Sequence, residues 1–183
     1  MKNLKLGLLS LVLCSSLFAG DYKVDTSHSN VGFSVKHMMV SNVIGKFNDF
    51  TGAFEFDEKS GTLLSLNGEL SVSSIDTANE KRDNHLKADD FFAAQNFPKI
   101  TFKSTKVEKD TIYGDLTIKG KTQNVKFSLE NGGAFAGKAG FSLKGKINRS
   151  DFGITWNKVL EAGAVAVGDQ VNLIIDIEGD LVK

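Results

Sequence analysis

The sequence predicts an all-β protein, an eight-stranded antiparallel barrel interrupted by one short helix. Three observations carry this. Apolar and polar residues alternate through about eight successive segments, the period of half-buried strands. Fourteen Phe and eighteen Gly stand beside a single Pro, a composition suited to strands around an aromatic interior. Several of those glycines fall on the apolar side of the alternation.

The chain opens with Lys2 and Lys5, passes through an apolar run from Leu6 to Leu13, and reaches Ala19 just before the polar Asp21-Tyr22-Lys23. This is the pattern of a secretory signal peptide, so residues 1–19 are expected to be removed and 20–183 to form one periplasmic domain. The apolar run is too short to stay behind as a membrane anchor. Cys14, the only cysteine, lies inside it, and Leu13 before it is too large for lipoprotein processing. The remaining chain of about 164 residues is long enough for a sizeable core. Without cysteine it has no disulfide, no Cys-based zinc site and no Cys nucleophile. Loss of Lys2 and Lys5 leaves 20 basic against 22 acidic residues, a net of −2. That balance, without a basic stripe, supports neither nucleic acid nor an anionic membrane surface as a partner.

The first strand pattern sets Val31, Phe33 and Val35 against Gly32, Ser34 and Lys36. It recurs in Phe50/Gly52/Phe54/Phe56, Leu64/Leu66/Gly68/Leu70/Val72, Ile100/Phe102 and Ile112/Gly114/Leu116/Ile118. Val125/Phe127/Leu129, Phe141/Leu143/Gly145/Ile147 and Val171/Leu173/Ile175/Ile177/Gly179/Leu181 continue it. Lys119-Gly120-Lys121 and Asn131-Gly132-Gly133 mark hairpin turns. Gly52, Gly68, Gly114, Gly145 and Gly179 share the apolar face of their strands. Glycine there lets a strand coil sharply and leaves interior space, which favours closure over a two-sheet sandwich. An outer-membrane barrel would carry aromatic girdles, for which Tyr22, Tyr113 and Trp156 are too few.

Thr77-Ala78-Asn79-Glu80 reads as a capping box with Thr77 as N-cap. It opens a short helix to about Lys87, and Phe97-Pro98 closes the excursion before the next strand.

Of the three histidines, no pair has helical metal-ligand spacing, so no metal site is expected at His28, His37 or His85. Asp151-Phe152-Gly153 lacks the context of a kinase signature and reads as a turn, and no nucleophile elbow or phosphate loop is present. Neither a catalytic residue nor a cofactor is predicted. The polar run Arg82-Asp83-Asn84-His85-Leu86-Lys87 has two readings: a helix that merely plugs one barrel end, or a ring of Arg82 and His85 that meets a polar or anionic head group. Phe33, Val35, Met38, Met39, Phe47, Phe91, Phe92, Phe102 and Trp156 are likewise either core or the lining of a cavity, since an eight-stranded barrel accommodates both.

Several stretches occurring together in order resemble the YceI-like family of periplasmic polyisoprenoid-binding proteins. They are Asp25-Thr26-Ser27-His28-Ser29 leading into Val31 to His37, Arg82 to Lys87 with Phe91-Phe92 and Phe97-Pro98, Leu116 to Thr122, and Asn148-Arg149-Ser150-Asp151-Phe152-Gly153. The resemblance implies a lipocalin-like barrel whose tunnel holds a long isoprenoid or comparable lipid, such as a fatty acid or amide, with no firmly attached catalytic activity. On that view the Phe and Met residues above and Trp156 form the wall, and Arg82 and His85 meet the head group. The alternatives are an enzyme acting on a lipid or quinone head group through His85 and Asp83, and a stress-related interaction protein with a filled core. A homodimer is left open.

Overall fold

The computed structural model describes residues 19–159 and 165–182. The expected signal peptide, Cys14 included, lies outside the described residues except for Ala19. Eleven strands form one antiparallel sheet: β1 (Ala19–Val24), β2 (Asn30–His37), β3 (Ser41–Phe47), β4 (Phe50–Asp57), β5 (Thr62–Ser71), β6 (Ile75–Asp76), β7 (Lys99–Glu108), β8 (Thr111–Ile118), β9 (Lys121–Phe135), β10 (Lys138–Asn148) and β11 (Val167–Leu181). Six of these are halves of three bent strands. β1 and β2 lie end to end along β11, Val24 facing Gly179 and Asn30 facing Asp176. β3 and β4 follow each other beside them, as do β5 and β6. Counted this way, eight strands run in sequence order around a ring that closes where β1 and β2 meet β11. The eight-stranded antiparallel closed barrel read from the alternation is the observed fold, and α1 (Glu80–Lys87) is its one short helix.

The kink between β1 and β2 falls in Asp25-Thr26-Ser27-His28-Ser29 and is clamped to β11. The Asp25 amide and the Ser29 hydroxyl both donate to the Glu178 carbonyl, at 2.9 and 3.1 Å, and the Glu178 amide donates to Ser29 Oγ at 3.0 Å. Asp25 accepts from the Ser27 amide at 2.9 Å and lies 2.7 Å from His28 Nδ1. Lys138 Nζ joins Asp25, Glu178 and Asp180 at 3.4, 3.1 and 2.7 Å. The His28 hydrogen bond, then the Ser27 amide, lower the Asp25 carboxyl to about 2, and the same bond raises His28.

One end of the barrel is filled. Tyr22, Phe54, Phe56, Leu63, Ile112 and Phe141 are buried together there; Tyr22 stacks on Phe54 at 5.1 Å and Phe141 meets Phe54 edge-on at 5.1 Å. The Tyr22 hydroxyl donates to Glu58 at 2.6 Å, and burial, then Glu58, push the phenol up to about 12. Three of the inward glycines serve this packing rather than leaving space: Phe102, Phe127 and Phe54 lie across Gly114, Gly145 and Gly179, where a Cβ would strike the ring. Gly52 and Gly68 face each other, and a Cβ on Gly68 would meet nothing nearer than the Thr51 carbonyl at 3.9 Å. The expected parity also fails once. A bulge at Glu55/Phe56 shifts the register, so Leu63 is buried opposite Phe56 and Leu64 is only half-buried.

The helix starts later than the capping box predicts. Ala78 takes a left-handed φ of 57°, which turns the chain after Thr77 and makes Asn79 the N-cap, its side chain accepting from the Arg82 amide at 2.9 Å. Thr77 instead donates its amide to Asp83 at 2.9 Å. No residue of α1 is buried. Three hairpin turns place both central residues at positive φ: Lys119-Gly120, Ala136-Gly137 and Met38-Met39, the last closed by the Val40 amide donating to the His37 carbonyl at 3.0 Å. Two carry glycine second, as such turns prefer. Met38 and Met39, at 51° and 63°, do not, a strain of about 1 kcal/mol or more each.

Candidate functional site

The other end of the barrel is open inside. A cavity of about 200 Å³ begins above the aromatic floor and is lined almost wholly by apolar side chains, among them Phe33, Val35, Phe47, Phe50, Leu70, Phe92, Ile100, Phe102, Leu116, Leu173 and Ile175. Gly52 and Gly68 also line it; at Gly68 the missing side chain does leave room, whereas at Gly52 Val24 and the Asn67 carbonyl, at 2.9 and 3.0 Å from a Cβ, take it up. Above lies a vestibule of about 420 Å³, bounded by Lys36, His37, Val43, Thr77, Asn79, Lys81, Arg82, His85 and Trp156. Phe33, Val35, Leu86, Phe91 and Val167 line both spaces and form the neck between them. α1 thus contributes Leu86 to the neck and Lys81, Arg82 and His85 to the vestibule.

The expected wall residues divide accordingly. Phe33, Val35, Phe47, Phe91, Phe92 and Phe102 line the cavity, and Trp156 stands in the vestibule. Met38 and Met39 lie outside both spaces: the β2 alternation ends at His37, and the turn that follows carries them to the surface, 45% and 70% exposed. Arg82 and His85 both face the vestibule. Arg82 Nε and Nη2 donate to the Thr77 hydroxyl and carbonyl, each at 2.8 Å. The His85 ring sits edge-on between Phe91 and Trp156, at 4.8 and 5.0 Å, with Nε2 2.8 Å from Asp90. Asp83 is turned toward Thr77 and His85 toward Asp90, so the acid–base pair His85–Asp83 does not form.

Two features had no signal in the chain pattern. Arg149, 8% exposed and touching the cavity, donates to four backbone carbonyls: Ile154 and Trp156 at 2.8 Å, Gly168 at 3.0 Å and Val167 at 3.4 Å. Burial lowers its pKa, and the nearby Asp169 charge opposes that shift. Its partners are main-chain atoms, which no residue pattern announces. Asp25, His28 and Glu178 bring three possible metal-ligand atoms within 4.8 Å of one another, from opposite ends of the sequence. The Lys138 ammonium stands in the same space and already supplies a positive charge.

The fold and site define a class: a small closed antiparallel barrel, filled at one end, with an apolar cavity at the other beneath a mouth that carries Lys36, Lys81, Arg82 and His85. The profile of the YceI-like domain matches residues 22–179, and the chain belongs to the YceI-like family. A UPF0312 protein of Staphylococcus aureus (strain N315) is 40% identical over 157 residues, covering 82% of this chain and 92% of its own. The crystal structure of a Campylobacter jejuni YceI protein superposes with a TM-score of 0.71 at 37% identity, over 87% of this chain and 96% of that one. A polyisoprenoid binding domain from Saccharophagus degradans shares the fold, with a TM-score of 0.65 at 11% identity over 88% of this chain and 98% of its own.

Proposed function

We propose that the protein is a periplasmic carrier that binds the chain of an elongated apolar lipid, a polyisoprenoid or a fatty acid or amide, rather than an enzyme. The observation that carries this reading is the apolar cavity joined, through five residues that line both spaces, to a vestibule bounded by charged as well as apolar side chains. The cavity alone is smaller than pockets of roughly 300–1,000 Å³ that hold small molecules, while the vestibule falls within that range, so the chain occupies both. Each methylene that leaves water contributes about 0.8 kcal/mol before the cost of ordering the chain. On this reading Arg82 and His85, which line the vestibule, meet the polar end. The fold relative from Saccharophagus degradans, described as polyisoprenoid binding, supports the same class of ligand.

The test is mass spectrometry of an organic extract of the purified protein beside native mass spectrometry of the intact sample. A stoichiometric long-chain lipid, recovered chemically unaltered, is the expected result. A bare protein that also takes up no added prenyl or fatty chain would overturn the carrier reading.

A further inference from the structure

We propose that the β2–β3 hairpin tip, Met38-Met39-Val40, is a lip that docks the barrel mouth reversibly on an anionic lipid bilayer, the surface from which cargo enters. The inference rests on the carrier reading and adds its partner.

Three independent observations point to it. The first is exposure. Met38, Met39 and Val40 are 45%, 70% and 84% exposed, and Ile44 on the outer face of the same hairpin is 73% exposed. Other apolar residues are exposed too, Phe135 at 87% among them, but three in a row at one hairpin tip mark a contact surface.

The second is backbone strain. The turn holds both methionines at left-handed φ, where the other two turns of this kind among the described residues, Lys119-Gly120 and Ala136-Gly137, place a glycine second. Folding alone favours Asn-Gly at such a turn. Two long apolar side chains here cost the fold stability and gain nothing in the core, so their use lies outside the folded chain.

The third is position and charge. Lys36 and His37, the residues just before the tip, line the vestibule, and the Met38 amide donates to the Ala166 carbonyl at 2.9 Å beside it. The tip therefore sits at the rim of the passage to the apolar cavity. Lys36, Lys81 and Arg82 face the vestibule, which no carboxylate lines among the described residues. Lys158, exposed on the adjoining segment, and Val159, 73% exposed, extend the same rim. Apolar side chains that enter the interface beneath a ring of cations are what binds a peripheral protein to anionic lipid. The near-neutral charge of the whole chain concealed this, because three cations grouped at the vestibule leave the total unchanged.

The turn supplies its own control. Met38→Asn with Met39→Gly removes the apolar tip and relieves the strain, so this variant folds at least as stably as the parent. Co-sedimentation with vesicles of phosphatidylcholine and phosphatidylglycerol should show binding by the parent that weakens with salt and on pure phosphatidylcholine. The turn variant should bind about tenfold more weakly or worse, and Lys36→Gln or Lys158→Gln about fivefold more weakly each. A fluorescent long-chain fatty acid delivered from vesicles should load the turn variant more slowly, whereas the same probe added from ethanol should load both to equal stoichiometry. Parent protein that ignores anionic vesicles, or a turn variant that binds them as well as the parent, overturns the lip. A parent dimer that the turn variant dissolves, with no vesicle binding by either, assigns the surface to a second copy and overturns it too. Failure of both proteins to take the probe from ethanol overturns the carrier reading instead, and vesicle binding lost only in the turn variant would still uphold the lip.

Discussion

Arg149 donates through Nη1 to the carbonyl oxygen of Trp156 at 2.8 Å, so a side chain buried in the barrel wall fixes the aromatic residue that stands at the mouth. The same guanidinium reaches Ile154 and Gly168, tying the segment after β10 to the start of β11. Its planar fork does what a single ammonium cannot. Arg149→Met removes the donor to all four carbonyls, of which Val167 keeps the Asn157 amide at 2.8 Å, and is expected to cost about 3 kcal/mol or more. For a domain of this size that is a fall of roughly 6–12 °C in Tm. Thermal denaturation followed by circular dichroism measures it, and Arg149→Lys should recover little of the loss.

The clamp at the β1–β2 kink should respond to pH in a defined window. His28 is raised above its ordinary 6.5 by its bond to Asp25, so its contribution is fully present below 6.5 and is lost as pH rises through the raised value. Asp25 is lowered from 3.8 to about 2, so its contribution is present above 3.8 and is lost as pH falls through about 2. The clamp is therefore strongest between these limits. Tm should drift down as pH rises from mildly acidic to mildly alkaline, and His28→Gln should flatten that drift. An unchanged slope in the variant would remove His28 from the account. The groups are exposed, so the drift is small.

Gly114 lies under the Phe102 ring, and Phe102 in turn lines the cavity. Gly114→Ala pushes that ring into the interior, with an expected cost of about 1–3 kcal/mol from overpacking despite the better strand propensity of alanine. Urea denaturation gives the stability, and a loss below half a kcal/mol would show that the ring relocates freely.

Eight segments were legible because a half-buried sheet imposes a period of two on its residues, and Phe33, Val35 and Phe102 point inward for that reason; β3, which carries Phe47, was not among them. Met38 and Met39, expected in the wall from their side-chain type, belong to no strand, since the turn after His37 ends the period and carries them to solvent. Leu64 fails for a related reason: the bulge beside it inserts a residue that composition does not mark. Inward glycines were legible as glycines, but their use was not. Whether a neighbouring ring fills the gap, as at Gly145, or nothing does, as at Gly68, depends on the strand alongside. Helix capping was read two residues early because Asn79 competes with Thr77, and the left-handed Ala78 decides between them. Arg149 stands in the Asn148–Gly153 stretch with no role legible in the sequence, since its partners are main-chain carbonyls five to nineteen residues further on.

The central claim is that the space beside Gly68 is where a lipid chain lies, and filling it tests this most directly. Gly68→Phe sets a ring into the cavity where a Cβ meets no near neighbour, so the barrel should fold normally by circular dichroism. Native mass spectrometry after incubation with a long-chain fatty acid should show one bound chain in the parent and a bare Gly68→Phe protein. A folded variant that binds the chain as fully as the parent would contradict the account.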